Sequence, residues 1–217
     1  GFGAILGNLP VSANMVGPEG LFGILYKAGI SNELFPLLIF LGIGAMLDLR
    51  PLLSQPIMFI MGALAHLGIF ATLIISLLLG FNLAEATAIG MIGAIDGPTV
   101  IYVNGKLGEL FTTPGLAAAI AVTAYSYMSL VPIIQPPLMR LFTTKAERGI
   151  HMEYTPRPVS KVTIILFPIL LTVIAGIFLP EAAPLIATLM LGNLLRESGV
   201  VEGLVETSKT TITNVAT

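Results

Sequence analysis

Cysteine is absent from the 217 residues, which excludes disulfides, thiolate metal sites and cysteine nucleophiles. Two histidines, His66 and His151, stand apart and cannot by themselves build a zinc site. Transition-metal chemistry is thereby set aside. Charge is scarce: charged residues make up 10% of the chain, the net charge is -2, and no basic stripe interleaves with aromatics, so nucleic acid is not an expected partner. Nor does Gly1 open a basic segment with a cleavage site, so no signal peptide is read.

What the chain has in abundance is apolar residues, 55% of the total, with a mean hydropathy of +0.95. Soluble domains carry roughly 25% charged residues, so a soluble fold would need many buried helices with almost no polar surface. The composition implies an integral membrane protein, and a multi-pass place in the cell inner (plasma) membrane is the expected location. Apolar runs at 33–48, 56–80, 84–107, 115–140, 162–180 and 182–197 predict the helices, several of them long enough to cross a bilayer, which takes about 20 residues. Residues 1–10 read as the end of a helix stopped by Pro10, Val16–Gly20 as a loop, and the last twenty residues as the start of another helix. Both ends are expected to be artificial.

The fold class expected is therefore all-α: a polytopic membrane helix bundle with a broken or re-entrant helix at Asp96, holding one and part of two inverted repeats. The domain reading is a first repeat over 1–142 containing the broken helix 84–107, a cytoplasmic loop over 143–161, and the start of a second repeat over 162–217. Arg140, Lys145, Arg148, Arg157 and Lys161 gather at that loop, half of the basic residues, which places it inside by the positive-inside rule. Arg196 then lies inside too, and the tight Leu179–Ala182 turn outside. The rule leaves open whether the Asp96 segment crosses or re-enters, because the alternatives merely exchange Arg50 and Lys27 between sides. The repeat rests on Gly3–Leu9 matching Thr188–Leu194, with Asn8 falling on Asn193. Re-entry would give the copies opposite orientations, as in two-fold pseudosymmetric transporters.

Asp96 stands in Ile89–Val103, where a carboxylate and a Gly97-Pro98 breaker interrupt an apolar run. An acid inside a hydrophobic span is costly and marks an ion or proton path, or else a structural pair. Pro98 lacks an N–H and clashes with the preceding turn, so the helix is kinked or broken there. Broken membrane helices release carbonyls that hold ions. A sodium site can be drawn from the Asp96 carboxylate, the Thr99 hydroxyl and the carbonyls of Gly97 and Pro98. No basic residue lies within one turn to neutralise Asp96; Lys106, ten residues on, is the nearest that could approach.

The 115–140 run carries Thr123, Tyr125, Ser126, Tyr127, Ser129 and Gln135, a set that does not face lipid. Tyr125 with Ser129, and Thr123 with Tyr127, form two polar stripes four residues apart. They serve either helix packing through small residues or a site, in which a phenol could donate a hydrogen bond or a proton. Ile134–Leu138, with two prolines, is expected to distort the helix end. Asp48 and Arg50 read as a surface ion pair, His66 as a hydrogen-bonded packing residue, and Arg196 as a side chain that snorkels to the boundary or meets a carboxylated ligand.

At Gly93–Val103 the chain resembles the beta subunit of the sodium-pumping, biotin-dependent decarboxylases acting on oxaloacetate, methylmalonyl-CoA or glutaconyl-CoA. Phe35–Met46, Ala124–Pro137 and Leu191–Glu202 agree with it, and the resemblance covers essentially the whole chain. It implies a membrane subunit that takes carboxybiotin from a partner's mobile biotin domain, decarboxylates it, and couples carbon dioxide release to sodium export. It implies Asp96 as sodium ligand and Tyr127 as the residue acting with it in ion binding and proton supply, so Asp96 and Tyr127 are the catalytic candidates and Asp96, Thr99 and Tyr127 the sodium candidates. Sodium ion and partner-borne biotin are the cofactors; the partners are a carboxyltransferase/biotin-carrier subunit, a small membrane subunit and membrane lipid, with a homo-oligomer also open.

The family carries a second broken segment, with an Asn-Pro and a Gly-Val-Ser, that is absent before Thr217; Gly203 also replaces an expected basic residue. The expectation is that the function belongs to the parent protein and that these residues alone do not pump. A sodium- or proton-coupled carrier without decarboxylase chemistry is the alternative, and a non-catalytic membrane scaffold a third.

Overall fold

The computed structural model describes residues 2–9, 14–151 and 158–216; the expectations on Pro10 and Arg157 lie outside the described residues. Every regular element among them is helical. In chain order they are α1 (Phe2–Gly7), α2 (Leu21–Leu25) running into a π-helical turn (Tyr26–Ile30), α3 (Leu34–Met46), α4 (Arg50–Ser54), α5 (Ile57–Ala65) and α6 (Leu67–Leu78). There follow α7 (Leu83–Met91), α8 (Gly97–Leu107), α9 (Leu116–Phe142) and α10 (Lys145–Arg148). The last are α11 (Lys161–Phe178), α12 (Ala183–Ser198), α13 (Glu202–Thr207), a second π-helical turn (Ser208–Ile212) and α14 (Thr213–Ala216). Ile57–Leu78, Leu116–Phe142 and Lys161–Phe178 are each long and apolar enough to cross a membrane, and Leu21–Met46, bent by 55°, adds a fourth if taken as one span. The apolar runs of the sequence thus become the helices expected of them.

The chain divides into two compact units, one of residues 1–47 and 165–217, the other of 48–164. In the first, α3 and α12 are pressed together through glycine. A Cβ on Gly44 would lie 1.9 Å from the Leu189 carbonyl oxygen, and one on Gly192 would lie 2.0 Å from that of Leu41. Small residues let membrane helices approach closely, and the gain is van der Waals packing. Polar groups then lock the end of α3: the Asn193 amide donates to the Leu47 carbonyl at 2.7 Å and the Arg196 guanidinium to that of Met46 at 3.0 Å. Arg196 therefore caps carbonyls left free at a helix C-terminus. The second π-helical turn packs on the same helix, since a Cβ on Gly42 would meet the Ser208 carbonyl oxygen at 2.6 Å.

The second unit is built on α6, α7, α8 and α9. Asn82 and Glu85 form a capping box at the start of α7, each side chain accepting from the other's backbone N–H. Glu85 is almost wholly buried, and its other oxygen accepts from the N–H groups of Thr112 and Thr113 at 2.8 and 2.7 Å. The Asn82 amide donates to the Leu110 carbonyl at 3.0 Å. These bonds join the start of α7 to the chain just past the end of α8, so the two helices fold back on each other. Each arm, Leu83–Ala94 and Gly97–Leu107, is only about 16–18 Å long, too short to cross a bilayer core of about 30 Å. The two arms share a core with α9, made of Ala88, Val100, Ile120 and Ala124.

Four residues behave as ordinary structural groups. His66 ends α5 with its Nδ1 bonded to the Gly62 carbonyl at 2.7 Å, and Arg50 pairs with Asp48 at 3.6 Å on the surface. Glu147 accepts from the Thr144 N–H and hydroxyl in the polar connection after α9, which holds its carboxyl below the usual range. The α9 helix departs from expectation at its end. Pro132, Pro136 and Pro137 lie inside it, and it stays helical through them to Phe142.

Candidate functional site

Asp96 occupies the tip of the folded-back segment. The α7 arm ends in a tight turn over Ile92–Ala94, and Ile95 then takes φ 57°, ψ 38°, in the left-handed region. Glycine or asparagine normally fills such a C-terminal position. For an L-residue the left-handed conformation costs roughly 1–2 kcal/mol, and a β-branched residue there is an outlier of the kind that clusters at functional sites. Asp96 comes next, in extended conformation, as the N-cap of α8, and Gly97-Pro98 begin the helix, where the missing proline N–H is harmless.

The tip collects charge and oxygen. The N-terminus of α8 favours the negative carboxylate. Thr99 donates its hydroxyl to Asp96 Oδ2 at 2.5 Å, leaving the hydroxyl lone pairs free to join the carboxylate around a cation. Among the described residues no three histidine or acidic side chains gather as a metal cluster. The carboxylate and the hydroxyl are hard oxygen donors, suited to an alkali or alkaline-earth ion rather than a soft transition metal, whereas Gly97 and Pro98 lie in the first turn of α8, where carbonyls serve the helix rather than stand released as the sequence suggested. Lys106 lies over the ring of Tyr102 at 5.6 Å.

The two tyrosines of α9 bracket this turn. Tyr127 shares a groove of about 570 Å³ with Ile95, together with Val131, Gln135 and Phe142. Tyr125 covers Gly97: a Cβ there would lie 2.7 Å from the ring carbon Cζ. Sequence reasoning chose Asp96, Thr99 and Tyr127; the structure brings Asp96 and Thr99 into direct contact, while Tyr127 lines the groove that Ile95 also lines. That reasoning placed Tyr125 only in a polar stripe with Ser129, without its contact to Gly97, and it missed Glu85. Their signals were the glycine of Asp-Gly-Pro, which marks a close approach, and the Asn-Leu-Ala-Glu capping pattern over Asn82–Glu85.

The chain matches a family model described as Na+-transporting oxaloacetate decarboxylase beta subunit over residues 1–217. The chain belongs to that family. It is 49% identical over 216 residues to the methylmalonyl-CoA decarboxylase subunit beta of Veillonella parvula, covering 100% of this chain and 55% of that protein. With the glutaconyl-CoA decarboxylase subunit beta of Acidaminococcus fermentans it shares 47% over 216 residues, 100% of this chain and 56% of the relative. The oxaloacetate decarboxylase beta chain of Klebsiella pneumoniae is 48% identical over 204 residues, 91% of this chain and 46% of that one. The chain spans about half the length of the curated relatives it matches. Membership and the apolar spans together make it an integral membrane protein of the sodium-transporting decarboxylase family.

Proposed function

We propose that the parent protein is the membrane subunit that decarboxylates carboxybiotin and couples carbon dioxide release to sodium export, with Asp96 and Thr99 as sodium ligands and Tyr127 acting with them. The observation that carries this is the Thr99 hydroxyl on Asp96 Oδ2 at the tip of a segment folded back on itself. Carboxybiotin arrives on a carrier domain of a carboxyltransferase partner, with a small membrane subunit completing the complex. Loss of carbon dioxide leaves biotin's ureido nitrogen to take up a proton. A site that holds sodium and a proton in exclusive turns links that uptake to ion movement through differential affinity. On this reading Asp96 is the group on which the two compete and Tyr127 relays the proton, a role supported by its lining the groove that Ile95 also lines.

Orientation comes from counting crossings. Asn193 and Arg196 bond to the carbonyls of Leu47 and Met46, so the ends of α3 and α12 share one membrane level. Between them run the three membrane-length helices 57–78, 116–142 and 161–178 and the shorter α12; counting α12 as a crossing too, four crossings return the chain to its starting side and a fifth would not. The 83–107 segment accordingly re-enters. With the basic connection 143–161 inside, its base at Asn82 and Thr112 opens outward and Asp96 points into the membrane. Re-entry gives the Gly3–Leu9 and Thr188–Leu194 copies opposite directions. Support for that repeat comes from the elements after each copy: a short helix runs into a π-helical turn with lysine second, Lys27 in one and Lys209 in the other. On this reading 1–142 is the first repeat, 143–161 the cytoplasmic loop and 162–217 the start of the second.

The test is sodium-dependent decarboxylation of free carboxybiotin by the full-length protein, compared with Asp96→Asn. Loss of sodium-coupled turnover is expected; full retention would overturn the assignment. Solute uptake without decarboxylation would replace it with a carrier.

A further inference from the structure

Resting on the reading of Asp96 as a sodium ligand, we propose that Tyr125 is a positioning residue, whose ring buttresses Gly97 and holds the turn Ile95-Asp96-Gly97 in its ion-binding shape.

Three observations lead there. The turn is under conformational load, because Ile95 sits at φ 57° and an isoleucine does not hold that conformation unaided. Its carboxylate does not cap the helix: as N-cap of α8, Asp96 makes no side-chain bond to the helix backbone, and the carboxylate accepts from the Thr99 hydroxyl. Finally, a ring from another helix closes on it. Positions 2.7, 2.8 and 3.1 Å from a Gly97 Cβ are already filled by Tyr125 Cζ, Cε1 and hydroxyl oxygen, so glycine is the residue that lets the ring seat.

Position 97 is thus half of a contact whose other half is aromatic. Successive residues on a helix turn by about 100°, so Tyr125 and Tyr127 point to nearly opposite sides of α9. One seats on Gly97, and the other shares the groove with Ile95. Asp96 lies between the two contacts. The roles divide accordingly: Tyr127 belongs to the groove, and Tyr125 supplies shape. A residue that supplies shape is replaceable by phenylalanine, whereas one that supplies a proton is not.

A size-exchange cycle in the full-length protein with its partner subunits tests this, reading the half-saturating sodium concentration and the rate at saturating sodium separately. Tyr125→Ala is expected to raise the half-saturating concentration while saturating sodium restores most of the rate, and Tyr125→Phe to match the parent. Gly97→Ala alone is expected to impair sodium affinity, and Gly97→Ala with Tyr125→Ala to do better than the sum of the single effects by about threefold or more, the signature of residues in contact. Additive effects, or Tyr125→Phe failing as badly as Tyr125→Ala, would overturn the proposal. Thermal unfolding of the same four proteins reports the Gly97–Tyr125 contact independently of sodium, and additive shifts there would also overturn it. Were Asp96→Asn to keep normal sodium dependence, the reading of Asp96 would fall, while the cycle in thermal unfolding would still report the contact.

Discussion

Asn193 of α12 donates its side-chain amide to the carbonyl of Leu47, a residue 146 positions earlier, at 2.7 Å and with no exposure to solvent. Asn193→Ala leaves that carbonyl without its partner, and an unsatisfied buried group costs about 1–3 kcal/mol. A lowered midpoint of thermal unfolding in detergent is the expected result. An unchanged midpoint would show that water or lipid replaces the amide freely.

The glycine seam gives a sharper contrast. Gly44→Ala and Gly192→Ala each drive a methyl group into backbone of the facing helix, 1.9 and 2.0 Å from a carbonyl oxygen, and backbone cannot rotate away as a side chain can. Overpacking of this kind costs about 1–3 kcal/mol or more. Gly176 in α11 has open space around it, so Gly176→Ala is expected to be neutral or to stabilise by roughly 0.5–1 kcal/mol. Measured side by side, the two seam variants should unfold at lower temperature than the parent and Gly176→Ala should not.

At the tip, Thr99→Val keeps the shape of the side chain and removes its oxygen. The half-saturating sodium concentration is expected to rise about tenfold, equivalent to roughly 1.4 kcal/mol, and Thr99→Ser to recover most of the loss. Equal behaviour of valine and serine would remove Thr99 from the ion site.

Glu85 closes the base of the folded-back segment through charged hydrogen bonds. Glu85→Gln retains an acceptor but loses the charge, which weakens bonds worth about 1.5–3 kcal/mol each when one partner is ionised. Faster hydrogen exchange at the Thr112 and Thr113 amides is the expected readout, since both donate to this carboxylate. Unaltered protection would mean that the linker is held by other contacts.

The lack of native cysteine in these residues suits single-cysteine labelling. An impermeant maleimide added outside is expected to reach cysteines at Glu109 and Glu181 and to spare those at Asp48 and Ala146. Labelling of positions 48 and 109 from opposite faces is what re-entry requires. Labelling from one face would make 83–107 a crossing.

Much of this architecture is visible in the residues. Long apolar runs must be helices in a bilayer, since a chain there has to satisfy its own backbone groups, and Asp96-Gly97-Pro98 announces a break by its chemistry. The direction of the chain after the break is another matter. It depends on Glu85 meeting Thr112 and Thr113, three residues of common type whose encounter leaves no periodic trace. The choice between Tyr125 and Tyr127 was hidden for a related reason: the two differ only in the rotation of α9 about its axis, which packing decides. Asn193 was noticed for its match to Asn8, but its bond to Leu47 joins segments too far apart in sequence to foresee.

The prolines of α9 carry a consequence for hydration. Pro132, Pro136 and Pro137 have no N–H to give, so the carbonyls of Met128, Pro132 and Ile133 lose the donors that an uninterrupted helix would supply. Lipid tails offer no substitute. The middle of α9 therefore carries a built-in thirst for water or a polar neighbour, and the stretch begins at Met128, the residue after Tyr127.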